Sequence, residues 1–121
     1  MSKEKDAVVK RSSIQINIGF NEDKIPVEMD WAASENDKAE ACKAFMLSLF
    51  DAKTKDTLKI DLWTKSMQVM EMDRFIFQSL KAINDTYYRS TQNKELAQEM
   101  NKFVQYFGEK TGIIPSQNNQ S

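Results

Sequence analysis

Hydrophobic and polar residues alternate from Ile14 to Phe20: Ile14, Ile16, Ile18 and Phe20 take one face, and Gln15, Asn17 and Gly19 take the other. Period-two patterning over β-branched residues predicts a half-buried strand. Asn21-Glu22-Asp23-Lys24 follows as a turn. Ile25, Val27, Met29 and Trp31 then alternate with Pro26, Glu28 and Asp30, which completes a hairpin. Pro26 has no N–H to donate, so it belongs near the strand start, on an edge or at a position that makes no ladder bond. Leu58, Ile60 and Leu62 alternate with Thr57, Lys59, Asp61 and Trp63 and give a third strand. In all three strands the second face is polar, carrying Gln15 and Asn17, Glu28 and Asp30, and Lys59 and Asp61.

Elsewhere the period is helical. Ser34, with Asp37 three residues on, resembles a capping box with Asp in the Glu position. The segment that follows places Ala39, Cys42, Phe45, Met46, Leu49 and Phe50 on one helical stripe. Ala52 to Asp56 is a polar turn. Val69, Met72, Ile76, Leu80, Ile83 and Tyr87 fall within a narrow arc at 100° per residue, which predicts a long helix over Val69 to Ser90. Asn93 caps a last helix whose Leu96, Met100, Phe103, Val104 and Phe107 share a face, with Gly112 as its stop signal. The expected order is therefore β-β-α-β-α-α. This is an α+β fold with a small three-stranded sheet, the N-terminal hairpin plus one further strand, with one polar face and about three helices packed on it. Residues 12–114 form the expected single domain. The polar segments 1–11 and 115–121 read as mobile tails.

Composition narrows the function. The 121 residues carry 17 Lys plus Arg against 18 Asp plus Glu, a net charge of -1. Nucleic-acid binding as the main task needs a cationic face that this balance does not supply. There is no histidine, so the commonest general base and metal ligand are missing. One cysteine, Cys42, excludes an intrachain disulfide. It sits in the apolar arc of the expected first helix and reads as a small core residue. No apolar run approaches the ~20 residues of a membrane span, and the N-terminus lacks a signal-peptide core, so the expected location is the cytoplasm. Neither a cofactor motif nor a nucleophile with its base is present, and no enzyme activity is expected.

The long helix carries a second stripe about 100° round from its core arc: Met70, Phe77 and Tyr88, with Arg74 and Lys81 beside them. Two apolar arcs imply two packing surfaces. Either another helix covers the second stripe within the monomer, or Phe77 and Tyr88 anchor a subunit or partner interface rimmed by Arg74 and Lys81. Glu71 and Asp73 in the first turn complement the helix dipole. Exposed strand edges on a small sheet predict self-association, a homodimer being the commonest closed form.

Four segments, KAFMLSLFD (Lys43 to Asp51), KDTLKIDLWTKSMQVMEMDRF (Lys55 to Phe75), DTYYRSTQN (Asp85 to Asn93) and YFGEKTGIIP (Tyr106 to Pro115), resemble the GldC family of small proteins associated with gliding motility in Bacteroidetes-type bacteria. The resemblance spans roughly Ile14 to Pro115. It implies a cytoplasmic accessory or assembly factor that acts on protein components of the gliding machinery, and it brings no catalytic residues with it. The residues also leave open a small-ligand binding domain with a pocket between the sheet and the long helix.

Overall fold

The structure, a computed structural model, describes residues 5–35 and 38–116. Its elements are β1 (Ile14–Phe20), β2 (Pro26–Ala33), β3 (Glu40–Ala41), β4 (Ala44–Phe50), β5 (Thr57–Trp63), α1 (Val69–Thr91) and α2 (Lys94–Lys110). The class is α+β, but the order is β-β-β-β-β-α-α and the strands make two sheets, β1-β2-β3 and β4-β5. The chain divides into two compact units between Met67 and Gln68, one of strands and one of helices.

In the strand unit, β1 and β2 pair antiparallel from Ile14↔Ala33 to Ile18↔Met29, with a bulge at Gly19/Phe20. The turn is closed by Asn21, whose Oδ1 accepts from the N–H groups of Asp23 and Ile25, and Lys24 takes the left-handed conformation at φ 62°. Pro26 is the first residue of β2, the position where a missing N–H costs the ladder nothing. The polar face carries two side-chain bonds of 2.7 Å: along β1, Gln15 Nε2 donates to Asn17 Oδ1, and across the pair, Asn17 Nδ2 donates to Asp30 Oδ1. Met29 is buried on the opposite face.

The hairpin β4–β5 is regular from Ala44↔Trp63 to Phe50↔Thr57. Two carbonyls of β2 hold its base: Met29 O accepts from Cys42 N and Pro26 O from Lys65 N. At the far end Asp51 accepts from the backbone N–H groups of Lys53 and Thr54, both at 2.8 Å, and Lys55 closes the turn at φ 63°.

The expected first helix is therefore absent from the described residues, and in place of the expected single three-stranded sheet with about three helices the described residues form two sheets of five strands in all and the two helices α1 and α2. The segment Ala44–Phe50, AFMLSLF, satisfies both periods. Read as a helix it has a stripe; read as a strand it places Phe45, Leu47 and Leu49 on one face. A short apolar run cannot be assigned by period alone. The neighbour decides: Phe45, Leu47 and Leu49 lie opposite Leu62, Ile60 and Leu58. Ser34 is no helix cap either. Its Oγ accepts from Ser13 N at 3.1 Å and its N–H donates to Ser13 O, so it prolongs the β1–β2 pairing. Its expected capping partner Asp37 lies outside the described residues. Cys42 consequently lies in the two-residue link between β3 and β4 and is half-buried, not on a helical core arc. Of the expected tails, residues 1–4 and 117–121 lie outside the described residues; Lys10 forms a surface ion pair with Glu35 at 2.5 Å.

In the helical unit α1 and α2 form an antiparallel pair joined through Gln92 and Asn93. Gln92 ends α1 in the left-handed conformation at φ 61°, its N–H bonded to Tyr88 O. Asn93 Oδ1 caps α2 by accepting from Leu96 N at 3.1 Å. At the start of α1 Glu71 accepts from the Gln68 backbone N–H, which satisfies one end of the first turn.

Candidate functional site

The stripe of α1 that contains Phe77 faces α2. Phe77 is buried, and its ring lies against Gly108 of α2, itself buried, with Ala97 and Val104 on the same face. These three residues lie within about 40° of one another around α2. Two are small, so the helices meet closely at the Phe77 ring. Of the expected core face of α2, Val104 is buried at this contact, whereas Leu96 and Phe103 are exposed. On α1, Val69 and Ile83 from the expected core arc are exposed as well.

The five residues of the second stripe do not form one patch. Phe77 lies in the middle of the stripe, buried against Gly108 near the C-terminal end of α2. Met70, 79% exposed, and Arg74 line a recess at one end with Thr111, Gly112 and Ile113. Lys81 and Tyr88, the latter 38% exposed, line a groove of about 450 Å³ at the other end, facing Lys94, Gln98 and Asn101. The Lys81 ammonium sits 5.6 Å from the Phe77 ring centroid, where the negative face of the ring attracts it. Asn84 also lines the groove, and its Oδ1 is buried without a hydrogen-bond partner. Asp85 is paired with Arg89 at 2.9 Å along the helix surface, an exposed i,i+4 pair of small energetic weight.

With Phe77 and Gly108 facing each other, helical geometry fixes the remaining faces. The arc Val69, Met72, Ile76, Ile83 and Tyr87 lies about 100° to one side of the contact on α1. The arc Leu96, Met100, Phe103 and Phe107 lies about 110° to one side of it on α2. Because the helices run antiparallel, the two arcs fall on the same side and make one apolar face of the helical pair. At its α2 border the rings of Phe103 and Tyr106, 53% and 56% exposed, lie 6.2 Å apart at a tilt of 37°, and Lys110 covers the Tyr106 ring at 5.8 Å.

The strand unit has a second exposed apolar surface that the sequence reading missed, because it assigned β4 to a helix. Leu49, Leu58 and Ile60 are exposed on one face of the β4–β5 hairpin, and Phe50 and Trp63 on the other. The detectable signal was the alternation Phe45, Leu47, Leu49 placed just before a turn and a strand of matching alternation. The Asp51 carboxyl at the hairpin tip is held below the usual aspartate range by the N–H groups of Thr54 and Lys53, which favour its charged form. Among the described residues no group of three or more His, Cys, Asp or Glu side chains gathers closely enough to hold a metal ion, and no helix is long and apolar enough to cross a membrane.

These features define a small α+β protein with solvent-facing apolar surfaces on both units. The GldC-like family, whose description is gliding motility-associated protein GldC-like, matches residues 26–113. That covers well over half the chain, and the chain belongs to this family. Association with gliding motility follows from the membership. No curated protein and no solved structure matches the chain.

Proposed function

We propose that the chain serves gliding motility as a cytoplasmic accessory or assembly factor that works by protein–protein contact and not by catalysis, with protein components of the gliding machinery and a second copy of itself as partners. The observation that carries this reading is the exposed aromatic pair Phe103–Tyr106 at the border of the apolar helical face. Large solvent-facing aromatics beside a cation are the residues that anchor protein interfaces, since they remove much apolar area from water with little loss of side-chain freedom. The exposed end residues Met70, Arg74, Lys81 and Tyr88 fit the rim of such a surface, whereas Phe77 supports it from within the helix pair.

The test is complementation in a gliding cell that lacks the protein. A Phe103→Ser, Tyr106→Ser double variant is expected to fold, because both side chains are already half in water, and to fail to restore gliding. A folded double variant that restores full gliding removes this surface from the function. The second reading, binding of a small ligand, is favoured by one observation: the groove beside Asn84 brings an unpartnered amide oxygen together with Lys81 and Lys94. A metabolite that co-purifies with the wild type and is lost in Lys81→Ala, Lys94→Ala would establish it.

A further inference from the structure

We infer that two copies of the chain join edge to edge through β4, in an antiparallel pairing centred on Leu47, to make a continuous four-stranded sheet β5-β4-β4-β5. This deepens the reading of the protein as one that works by protein–protein contact. The starting point is the hydrogen-bond parity of the hairpin. Thr64 N donates to Lys43 O at one end and Asp51 N donates to Asp56 O at the other. In an antiparallel ladder only alternate pairs exchange bonds. The odd-numbered residues of β4 therefore bond to β5, and Ala44, Met46, Ser48 and Phe50 direct their N–H and C=O groups to the opposite edge. Among the described residues the last bond on that edge is from Cys42 N, just before β4, to Met29 O of β2; along β4 itself no strand is paired there, since its sheet contains β4 and β5 only. Ser48, Leu49 and Phe50 are exposed there.

Sheet edges in soluble proteins are normally blunted by a charge, a proline or a bulge. β1 has a bulge at Gly19/Phe20, and β5 carries the Lys59–Asp61 ion pair at 2.8 Å. β4 has none of these: AFMLSLF contains no charge and no proline, and its register with β5 is unbroken. Its sequence is also self-complementary. With Leu47 on the two-fold axis all seven residues overlap. Phe45 then faces Leu49 of the second copy on the apolar face, and Met46 faces Ser48 on the other. No like charges meet. The four outward N–H groups find carbonyl acceptors, and three more apolar side chains join the face formed by Phe45, Leu47 and Leu49. The occupant that fits this edge is thus the same strand of a second copy.

The experiment uses the purified full chain, so a failure here leaves partner binding in the cell untouched, and a failure of the gliding test leaves this measurement untouched. Sedimentation is expected to show a dimer at roughly 100 µM that dissociates on dilution, since seven paired residues bury less than the usual stable interface. Ser48→Pro removes an N–H that points away from β5, so the hairpin ladder survives while the outer pairing is lost. Its dimer dissociation constant should rise by 100-fold or more. Register is tested separately in a Cys42→Ser background. In a non-bonded antiparallel pair the Cα atoms are about 4.5 Å apart, within disulfide reach. Leu47→Cys should therefore form a disulfide dimer under mild oxidation, and Leu49→Cys should not, because its counterpart lies four residues away along the sheet. A monomer at that concentration, a dimer unaffected by Ser48→Pro, or equal crosslinking at 47 and 49 overturns the proposal. Should Ser48→Pro fail to fold, the contrast between positions 47 and 49 decides it.

Discussion

A Cβ added to Gly108 would lie 2.6 Å from Phe77 Cε1 and 2.8 Å from Ile114 Cγ1. Both distances are shorter than side chains tolerate, and both neighbours would have to yield together. A glycine inside a helix normally costs roughly 0.5–1 kcal/mol relative to alanine. Here overpacking opposes that gain and is worth roughly 1–3 kcal/mol. Gly108→Ala should therefore destabilise the protein by about 1 kcal/mol, read as a lower urea midpoint. A stabilised Gly108→Ala would show that Phe77 and Ile114 move aside freely.

Phe77 itself tests what the second stripe of α1 does. It is 8% exposed, the most deeply buried side chain of α1. Phe77→Ala should cost about 3–5 kcal/mol, because the ring is lost and the cavity left at Gly108 cannot close fully. Met70→Ser, at a position 79% exposed, should change stability by less than about 0.5 kcal/mol. Denaturant midpoints for the two variants measure the contrast directly. Equal effects would mean that the stripe behaves as one surface.

The sequence displays β1, β2, β5 and both helices because each has a long, single-period pattern with a clear boundary. Asn93 and Gly112 punctuate α2, and Pro26 and the Asn21 turn punctuate β2. Two features are hidden, one of them in part, for physical reasons. The segment Ala44–Phe50 is almost wholly apolar, so its strand state is set by pairing with β5, which is non-local information. The packing face of α2 is only partly legible: hydrophobicity points to Leu96, Met100, Phe103, Val104 and Phe107, of which Val104 is buried, whereas close approach of two helices also selects small residues, here Ala97 and Gly108. The second stripe of α1 was visible in the periodicity. Its division into a buried centre and two open ends was not, since that follows from the length of the α1–α2 contact.

The α1–α2 turn rests on Asn93. Its Oδ1 accepts from Leu96 N at 3.1 Å, and its Nδ2 donates to Tyr87 Oη at 3.3 Å. Asn93→Ala removes both and leaves a helix donor without its cap, a loss of about 1 kcal/mol. Asn93→Asp keeps the acceptor and adds a charge favourable to the helix N-terminus. It should retain most of the wild-type stability. The two variants separate in thermal unfolding, and an alanine as stable as the aspartate would show that the cap contributes nothing.

The tip of the β4–β5 hairpin should make stability depend on pH in the acid range. Asp51 Oδ1 accepts from Lys53 N and Thr54 N, and these bonds favour the carboxylate, so its pKa in the folded state lies below the ordinary aspartate value. A group with a depressed folded pKa binds its proton more readily when unfolded. Its contribution is fully present above the unfolded pKa and disappears as pH falls through the folded one. Asp51→Asn keeps an oxygen acceptor in the turn but has no charge to lose. The wild type should therefore be more stable than Asp51→Asn near neutrality, and the gap should narrow as pH falls below the ordinary aspartate pKa of about 4 and through the lower folded one. Urea midpoints for both proteins across that range measure it. A gap that stays constant or widens in acid would mean that the two N–H bonds do not distinguish the charged carboxylate from a neutral acceptor.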